Sequence, residues 1–279
     1  MMKRIDLHIH TTASDGTLSP EEVARQAKEL GLAAIAITDH DTAAGAAQAA
    51  ELSARYDIEV IPGIEISADY QGLGVHIIGY FIDPASPHLA PVLEHIIAER
   101  TARNRRIVAL MRADGLDVSL EAMEEKYPGT VIGRPHFARE LMERGLCDSV
   151  AEGFQRYLNR GKVYYRARCY LPLDVAFRAI REAGGKAVLA HPLQYRLSDA
   201  ELEALTACLT GHGCVGMECL YSGYTAEQSA ALMALAARYG LCVTGGSDFH
   251  GSGKAHIRIG SGTGDLCVPY VLLERLKNI

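Results

Sequence analysis

The sequence predicts an α/β protein in which strands and helices alternate, with a mainly helical segment inserted in the middle. The first observation is the start of the chain, where apolar Ile5, Leu7 and Ile9 alternate with polar residues at the period of a β-strand. The second is that short apolar runs alternate with helical patterns up to about residue 83 and again from about residue 171. The third is the helical periodicity that fills residues 84–170.

The first half of the alternation carries clear boundary signals. Ser19 and Glu22 form the pattern of a capping box, with Pro20 at the first helical position, so a helix is expected to run to about Leu30 and to end at Gly31. The remaining elements are read from apolar periodicity: strands at 33–38, 58–64 and 75–81, a helix at 43–55, and a turn at 71–74.

The insertion and the second half follow the same logic. A break at Pro84–Pro87 precedes one long helix over about 89–114, and shorter helices are expected near 119–126, 134–145 and 149–158. Beyond residue 171 the alternation resumes, with strands at 186–190, 213–219 and 241–244 and helices up to 183 and at 198–210, 225–239 and 270–277.

Composition places the chain among soluble globular proteins. Its 279 residues are 48% hydrophobic and 22% charged, and no apolar run approaches the length of a membrane span. Residues 1–4 lead straight into the first strand without a signal-peptide pattern, and the seven cysteines form no Cys-x-x-Cys pair. We therefore expect a cytoplasmic protein with reduced thiols and without a membrane partner.

The net charge of −6 is unevenly distributed. The segment 84–170 has 14 Lys and Arg against 11 Asp and Glu, whereas the rest of the chain has 14 against 23. An ordinary solvated helix surface explains such a balance, and a basic segment that meets an anionic ligand explains it as well. Charge alone favours the first interpretation.

Polar residues with metal-binding chemistry collect at the predicted strand ends. The carboxyl ends of parallel strands in a closed α/β barrel form one rim, so residues distant in sequence are expected to converge there. Imidazole and carboxylate ligands without a thiolate suit Mn²⁺, Fe²⁺ or Zn²⁺, and their number fits two or three ions with Glu65 as a possible bridge. The candidate ligands are His8, His10, Asp15, His40, Glu65, His76, His191, Asp248 and His250.

Other polar residues have a more ordinary interpretation. Glu218 lies within a predicted strand, where we expect it to support the ligands or to serve the fold. Four histidines lie away from strand ends and are expected to be unremarkable surface or core groups: His88, His95, His212 and His256.

Six motifs together resemble the PHP (polymerase and histidinol phosphatase) family of the amidohydrolase superfamily. The resemblance covers residues 1–80 and about 171–255 and implies a distorted (β/α)7 barrel with a trinuclear site, to which the helical periodicity of residues 84–170 adds a mainly helical inserted subdomain. The motifs are His8-x-His10, Ser14-Asp15-Gly16, Thr38-Asp39-His40-Asp41, Pro62-Gly63-Ile64-Glu65, Ala190-His191-Pro192 and Gly246-Ser247-Asp248-Phe249-His250.

The resemblance also implies how the metals are shared. It assigns one ion to His8, His10, Glu65 and Asp248, a second to Glu65, His76 and His191, and a third to Asp15, His40 and His250. Manganese is the first expectation for these two or three divalent ions, with zinc or iron as alternatives.

The insertion carries a second, weaker resemblance. Residues 132–139, Ile-Gly-Arg-Pro-His-Phe-Ala-Arg, and the arginine-rich long helix are similar to the subgroup that acts on nucleotides, namely 3′,5′-nucleoside bisphosphate phosphatases and 5′→3′ exoribonucleases. We therefore divide the chain into a metal-binding barrel, 1–83 and 171–279, and a substrate cap, 84–170.

The hypothesis that follows is hydrolysis of the 3′-phosphate of a nucleoside 3′,5′-bisphosphate to a nucleoside 5′-monophosphate and phosphate. Metal ions lower the pKa of water and cancel charge on the phosphoryl oxygens. His191 or His250 could assist proton transfer as catalytic residues, although a ligand role is the stronger interpretation, and Asp39 and Asp41 could orient ligand imidazoles. The expected substrate contacts are Arg103, Asn104, Arg134, His136 and Arg160.

Two alternatives stay open at this level. One is a 5′→3′ exonuclease on short RNA, which the basic insertion permits although the chain lacks an extended basic stripe with interleaved aromatic residues. The other is a non-catalytic metal-binding regulatory protein, which would need coordinatively closed metals. No stable protein partner and no oligomeric state is indicated.

Overall fold

A computed structural model of the chain describes residues 3–279. Residues 1–2, which belong to the N-terminal segment without a predicted signal peptide, lie outside the described residues. The strands are β1 (Arg4–Ile9), β2 (Ala34–Ile37), β3 (Glu59–Tyr70), β4 (Leu73–Tyr80), β5 (Leu171–Pro172), β6 (Lys186–Leu189), β7 (Gly216–Tyr221), β8 (Cys242–Gly246) and β9 (Val268–Pro269).

Most helices lie close to their predicted positions, but the helix predicted at 43–55 begins only at Ala49, after a 3₁₀ turn at Ala46–Gln48. The helices are α1 (Pro20–Glu29), α2 (Ala49–Tyr56), α3 (Ala90–Ala113), α4 (Leu120–Lys126), α5 (Arg134–Glu143), α6 (Val150–Gly153), α7 (Leu173–Glu182), α8 (Asp199–Gly211), α9 (Ala226–Arg238) and α10 (Val271–Lys277), with a π-helical turn at Phe154–Leu158. The capping box of Ser19 and Glu22 is present at the start of α1. Among the described residues, none of the helices combines the length and hydropathy that a membrane span needs.

Seven of the strands close into a barrel. The sheet runs in the order β8-β7-β6-β4-β3-β2-β1-β9, with β5 paired to β3. Two backbone hydrogen bonds join its ends beside β1 and β8, from the Asp248 amide to the His8 carbonyl at 2.8 Å and from the His10 amide to the Phe249 carbonyl at 3.0 Å. The predicted α/β fold with a distorted seven-stranded barrel is confirmed.

The distortion comes from β4. It runs antiparallel to both β3 and β6, whereas β1-β2-β3 and β6-β7-β8 are parallel. The expectation that all the strands carrying site residues run parallel is therefore wrong for β4. A tight hairpin explains the reversal, because Gln71 and Gly72 both have positive φ between the two strands.

β3 is also longer than predicted. The expected strand ends near residue 64, but β3 continues to Tyr70 because residues 63–70 pair one to one with β4. Glu65 thus lies within a strand instead of at its end, and His76 lies in the first half of β4. The hairpin still turns both side chains toward the centre that the parallel strand ends reach.

The insertion has a hydrophobic core of its own. Ile107, Met111, Phe137 and Leu141 are completely buried and belong to a cluster that spans residues 107–164, separate from the clusters of the barrel. A few polar contacts attach this segment to the barrel loop that follows β1. The Val131 amide donates to the Ala13 carbonyl at 3.1 Å. These contacts place the insertion over the end of the barrel where the polar residues gather.

Candidate metal centre and substrate cavity

The first pair of predicted ligands comes from the two-residue period of β1. His8 and His10 are both fully buried, and their Nε2 atoms are 3.1 Å apart. The Nδ1 atom of His8 lies 3.0 Å from a carboxylate oxygen of Glu218, which can only accept a hydrogen bond. The proton of His8 is therefore on Nδ1, and its Nε2 lone pair faces the centre of the barrel.

Glu65 lies at the middle of the cluster. Its Oε1 atom is 2.9 Å from Nδ1 of His76 and 2.8 Å from Nε2 of His191. Its Oε2 atom is 2.8 Å from Nδ1 of His40 and within 3.4 Å of the Nε2 atoms of His8 and His10. A fully buried carboxylate by itself would have a raised pKa, but the surrounding imidazoles hold the pKa of Glu65 well below its ordinary value.

The remaining carboxylates close the other sides of the cluster. Oδ1 of Asp248 is 3.2 Å from Nε2 of His10, and Oδ1 of Asp15 is 3.3 Å from Nε2 of His250. Asp15 also faces His40, with 3.9 Å between Oδ2 and Nε2. The nine predicted residues therefore converge. Four groups have ligand atoms within 4.8 Å of one another: His8, His10 and Asp248; His8, Glu65 and His191; His40, Glu65 and His76; and His10, Asp15, His40 and His250.

Unpartnered buried atoms show that this donor set fits metal ions. Nδ1 of His40 and Oε2 of Glu65 are only 2.8 Å apart but form no hydrogen bond, and Nδ1 of His10 and of His191 also lack a partner. Buried polar atoms normally have hydrogen-bond partners, so lone pairs that face one another need a cation between them. Burial also keeps the pKa of His10 well below its ordinary value, which leaves its imidazole neutral, the form that binds metals. The cluster is able to hold divalent metals.

Further polar groups fix the ligands from behind. Besides His8, Glu218 binds the backbone N–H of His191 at 2.7 Å, so one carboxylate orients two candidate ligands. The hydroxyl of Tyr221 donates to Oδ2 of Asp248 at 2.5 Å, and Nζ of Lys254 donates to the same oxygen at 2.6 Å. The expectation that Glu218 supports the ligands agrees with these contacts.

The two aspartates beside His40, Asp39 and Asp41, have hydrogen-bond partners other than the ligand imidazoles that were expected. Asp39 accepts hydrogen bonds from the Thr11 amide, the Thr11 hydroxyl and the Ser14 hydroxyl. Asp41 accepts from Ser67 and from two arginines described below. Neither carboxylate binds a ligand imidazole, so the expectation that they orient the imidazoles is wrong. Both instead arrange the loops that carry the ligands.

A cavity of about 780 Å³ lies between the metal-binding cluster and the insertion. Asp15, His40, His76, Asp248 and His250 lie on its wall, so the cluster is open to a ligand from this side. The insertion contributes a concentration of positive charge to the same cavity. The residues that carry this charge are Arg100, Arg103, Arg134, Arg139, Arg166 and Arg168.

The structure separates the predicted substrate contacts into two groups. Arg103 and Arg134 line the cavity. Asn104, His136 and Arg160 do not. The Asn104 side chain donates to the Ile132 carbonyl, the His136 ring accepts from the Gly133 amide at the start of α5, and Arg160 is exposed on a turn. These hydrogen bonds give Asn104 and His136 a structural role, which local sequence did not reveal, and His136 also lines a second, adjoining cavity.

Sequence reasoning missed several residues of the cavity wall. Arg166, Arg168 and Tyr170 alternate in an extended segment that precedes β5, and Tyr165 stacks on the guanidinium group of Arg134. The period of two in Arg-x-Arg-x-Tyr was the available signal, because alternate side chains of extended backbone share a face. Lys254 was missed because it lies four residues beyond the last recognised motif.

A closed α/β barrel whose rim joins imidazoles and carboxylates around an open cavity defines a metal-dependent hydrolase. The model of the PHP domain matches residues 6–171, and the chain belongs to the PHP family. It is thus a metal-dependent phosphoesterase, and the alternative of a non-catalytic regulator has no support.

Characterised relatives extend over most of the chain. It is 38% identical over 247 residues to the 5′-3′ exoribonuclease Rnm of Escherichia coli, covering 88% of this chain and 84% of the relative. It is 36% identical over 260 residues to the 3′,5′-nucleoside bisphosphate phosphatase of Chromobacterium violaceum, covering 93% and 91%. A solved amidohydrolase from Chromobacterium violaceum with bound sulfate has a TM-score of 0.88 at 33% identity, covering 99% of this chain and 96% of that one.

Proposed function

We propose that this phosphoesterase hydrolyses the 3′-phosphate of nucleoside 3′,5′-bisphosphates. The observation that carries the proposal is the guanidinium group of Arg103, which is 4% exposed, lines the cavity and has no carboxylate partner among the described residues. Burial, together with the neighbouring Arg100 and Arg134, holds the pKa of Arg103 well below its ordinary value. A buried cation without a counter-ion is costly, and a second phosphate on the substrate would compensate it.

The metal cluster and the arginines divide the recognition of such a substrate. The scissile phosphate would meet the metals, and the remote phosphate would meet Arg103 and Arg134, which suit it because a guanidinium group binds phosphate oxygens through two parallel N–H groups. A monophosphate could satisfy only one of the two regions. The two curated relatives described above act, by name, on RNA and on nucleoside bisphosphates, which supports a nucleotide substrate.

We assign the ligands as the family resemblance implies. One ion would be held by His8, His10, Glu65 and Asp248, a second by Glu65, His76 and His191, and a third by Asp15, His40 and His250. The members of each set belong to groups whose ligand atoms lie within 4.8 Å of one another. Manganese is proposed because the donors are nitrogen and oxygen only, with zinc or iron as alternatives. Bound metals would supply positive charge to the phosphoryl oxygens and lower the pKa of water.

The chain itself fixes which atoms face the metals. Nδ1 of His250 lies 2.8 Å from the Asp248 carbonyl oxygen, which can only accept, so the proton of His250 is on Nδ1 and Nε2 is free to bind a metal. His8 is fixed in the same way by Glu218. We therefore place His191 and His250 in the site as ligands first, and only secondarily as groups that move a proton.

Phosphate release by the manganese-loaded protein tests the proposal. We expect adenosine 3′,5′-bisphosphate to be turned over in preference to AMP and to a 5′-phosphorylated dinucleotide, with AMP as the product. Arg134→Ala should raise KM for the bisphosphate by about 10-fold or more, because hydrogen bonds to charged groups contribute roughly 1.5–3 kcal/mol. Arg160→Ala, which removes an exposed arginine outside the cavity, is the matched control and should leave KM unchanged.

The 5′→3′ exonuclease is the second candidate, and a second cavity favours it. This cavity, about 630 Å³ in volume, adjoins the first and shares the side chains of Arg139 and Lys254 with it. Hydroxyl groups of Thr12, Thr17 and Ser252 line it, and it offers room for the rest of a chain beyond the scissile bond. Faster turnover of the dinucleotide than of the bisphosphate would establish this function and exclude our first proposal.

A further inference from the structure

The carboxylate of Asp41 joins the insertion to the barrel at one buried point. The side chain of Asp41 is completely buried, and its Oδ2 atom accepts hydrogen bonds from Arg100 in α3 at 2.5 and 2.9 Å and from Arg168 at 3.0 and 3.1 Å. Its Oδ1 atom accepts from the Ser67 amide at 2.8 Å. The two arginines are 11% and 8% exposed, so this is a buried network and not a surface ion pair.

The backbone of Asp41 connects this network to the metal-binding cluster. Its amide donates to the Glu65 carbonyl at 2.9 Å, and His40, a candidate ligand, precedes it in the chain. The φ angle of Asp41 is +56°, a conformation that most residues other than glycine avoid but Asp and Asn tolerate. One residue thus holds the strand of the proposed metal bridge with its backbone and the insertion with its side chain.

The charges around Asp41 are not balanced. Arg100 and Arg103 lie three residues apart on one face of α3, and Arg168 faces them across the cavity wall, but Asp41 is the only carboxylate that pairs with any of these three in the described part of the chain. Asp41 occupies the guanidinium groups of Arg100 and Arg168 and leaves that of Arg103 available. Without its negative charge, the three cations would repel one another and separate.

We propose that Asp41 is a positioning residue that holds Arg100 and Arg168 in the cavity wall and thereby fixes the arginine cluster for a substrate with a second phosphate. This inference deepens the function proposed above and rests on it. It divides the arginines into two kinds. Arg100 and Arg168 are held by the protein, whereas Arg103 and Arg134 face the substrate.

The test is the selectivity of Asp41→Asn. Asparagine keeps the size of the side chain and tolerates the same backbone conformation, but it removes the charge. We expect the ratio of kcat/KM for adenosine 3′,5′-bisphosphate to that for p-nitrophenyl phosphate to fall by about 10- to 100-fold, with the loss carried by KM of the bisphosphate. Metal content, measured by atomic emission, should equal that of the wild type.

Asp39→Asn is the matched control, since Asp39 is an equally buried carboxylate two residues away that pairs with hydroxyl and amide groups instead of arginines. It should leave the selectivity ratio unchanged even if it lowers stability. An equal loss on both substrates, or a loss of metal, in Asp41→Asn would overturn the proposal by showing that Asp41 acts on the metal cluster. An unchanged ratio would overturn it as well.

A second pair of variants covers the case in which Asp41→Asn does not fold. Arg100→Gln and Arg168→Gln each remove one partner, and the double variant should lower the selectivity ratio by less than the product of the single effects, because both act through one carboxylate. Fully multiplicative effects would contradict a shared anchor. If the wild type itself shows no preference for the bisphosphate, the proposed function fails, whereas a wild-type preference that these variants do not change refutes only the role of Asp41.

Discussion

The barrel and the insertion differ in how they hold their charged side chains. The candidate ligands are carried by strands or by the loops that follow them, and polar groups such as Glu218 and Tyr221 fix several of these ligands from behind. The arginines of the cavity lie on two helices, α3 and α5, and on an extended segment, and most of them have no carboxylate partner. The rim is thus preorganised for metals, whereas the insertion presents uncompensated charge to a ligand.

This difference shows how one barrel can serve several substrates. The register of the strands fixes the positions of His8, Glu65 and His76, and a one-residue change of register would turn such a side chain to the other face. Much of the insertion packs around a core of its own, although its Leu89 and Ile96 pack in a core of the barrel, and its cavity arginines lie outside the candidate ligand groups. We expect variants of the barrel to affect the chemical step and variants of the insertion to affect recognition.

The largest effect is expected when the shared carboxylate of the rim is neutralised. Glu65→Gln keeps the shape of the side chain but removes the charge that faces five imidazoles. We expect kcat to fall by about 1000-fold or more and the metal stoichiometry to decrease, since lost electrostatic stabilisation alone costs about 100- to 1000-fold. Steady-state kinetics and atomic emission measure the two quantities.

Glu59→Gln is the control for this variant. Glu59 lies at the start of the same strand, near Lys277 and Tyr270, far along the chain from the centre of the cluster. It should leave both kcat and the metal content unchanged. Full metal occupancy and full activity in Glu65→Gln would contradict the bridging role and, with it, the assigned ligand sets.

An intermediate loss of metal affinity is expected when a residue that orients the candidate ligands is changed. Glu218→Gln removes the negative charge that orients His8 and the His191 backbone, while leaving every candidate ligand in place. Loss of such an outer partner typically costs about 10- to 100-fold in metal affinity or activity. Titration of the metal-free variant with Mn²⁺ measures this loss of affinity. The control is Glu203→Gln, which changes a carboxylate on the surface. An affinity of Glu218→Gln equal to that of the wild type would show that His8 needs no partner behind it.

The smallest effect is expected from core substitutions that change the stability of one region and leave the metal-binding cluster and the cavity unchanged. Ile107→Val creates a small cavity in the core of the insertion, and Ile35→Val creates its equivalent in β2, since both side chains are fully buried. Each change should cost about 0.5–1.5 kcal/mol of stability. Amide hydrogen exchange should lose protection mainly in α3–α5 for the first variant and mainly in the barrel for the second.

An identical, global loss of protection in both variants would contradict this prediction. The division into a barrel of residues 1–83 and 171–279 and a cap of residues 84–170 would then describe one cooperative unit and not two regions.

The sequence by itself determined the features that local periodicity encodes. The two-residue period of β1 placed His8 and His10 on one face, and the capping box of Ser19 and Glu22 placed α1. The six motifs contained eight of the nine residues that converge at the rim, and the strand predicted at 75–81 carried the ninth, His76. Each of these signals depends on neighbours within a few residues, so it can be read without the fold.

Only the tertiary structure decided the features that depend on distant partners. It reversed β4, placed Glu65 within β3, gave Asn104 and His136 structural hydrogen bonds, and brought Arg100 and Arg168 onto Asp41 across 59 and 127 positions of the chain. A buried charge is stabilised by whichever opposite charge folding brings to it, and no local pattern records that choice. The candidate metal ligands could therefore be predicted from the sequence, whereas the residues that position the substrate-facing arginines could not.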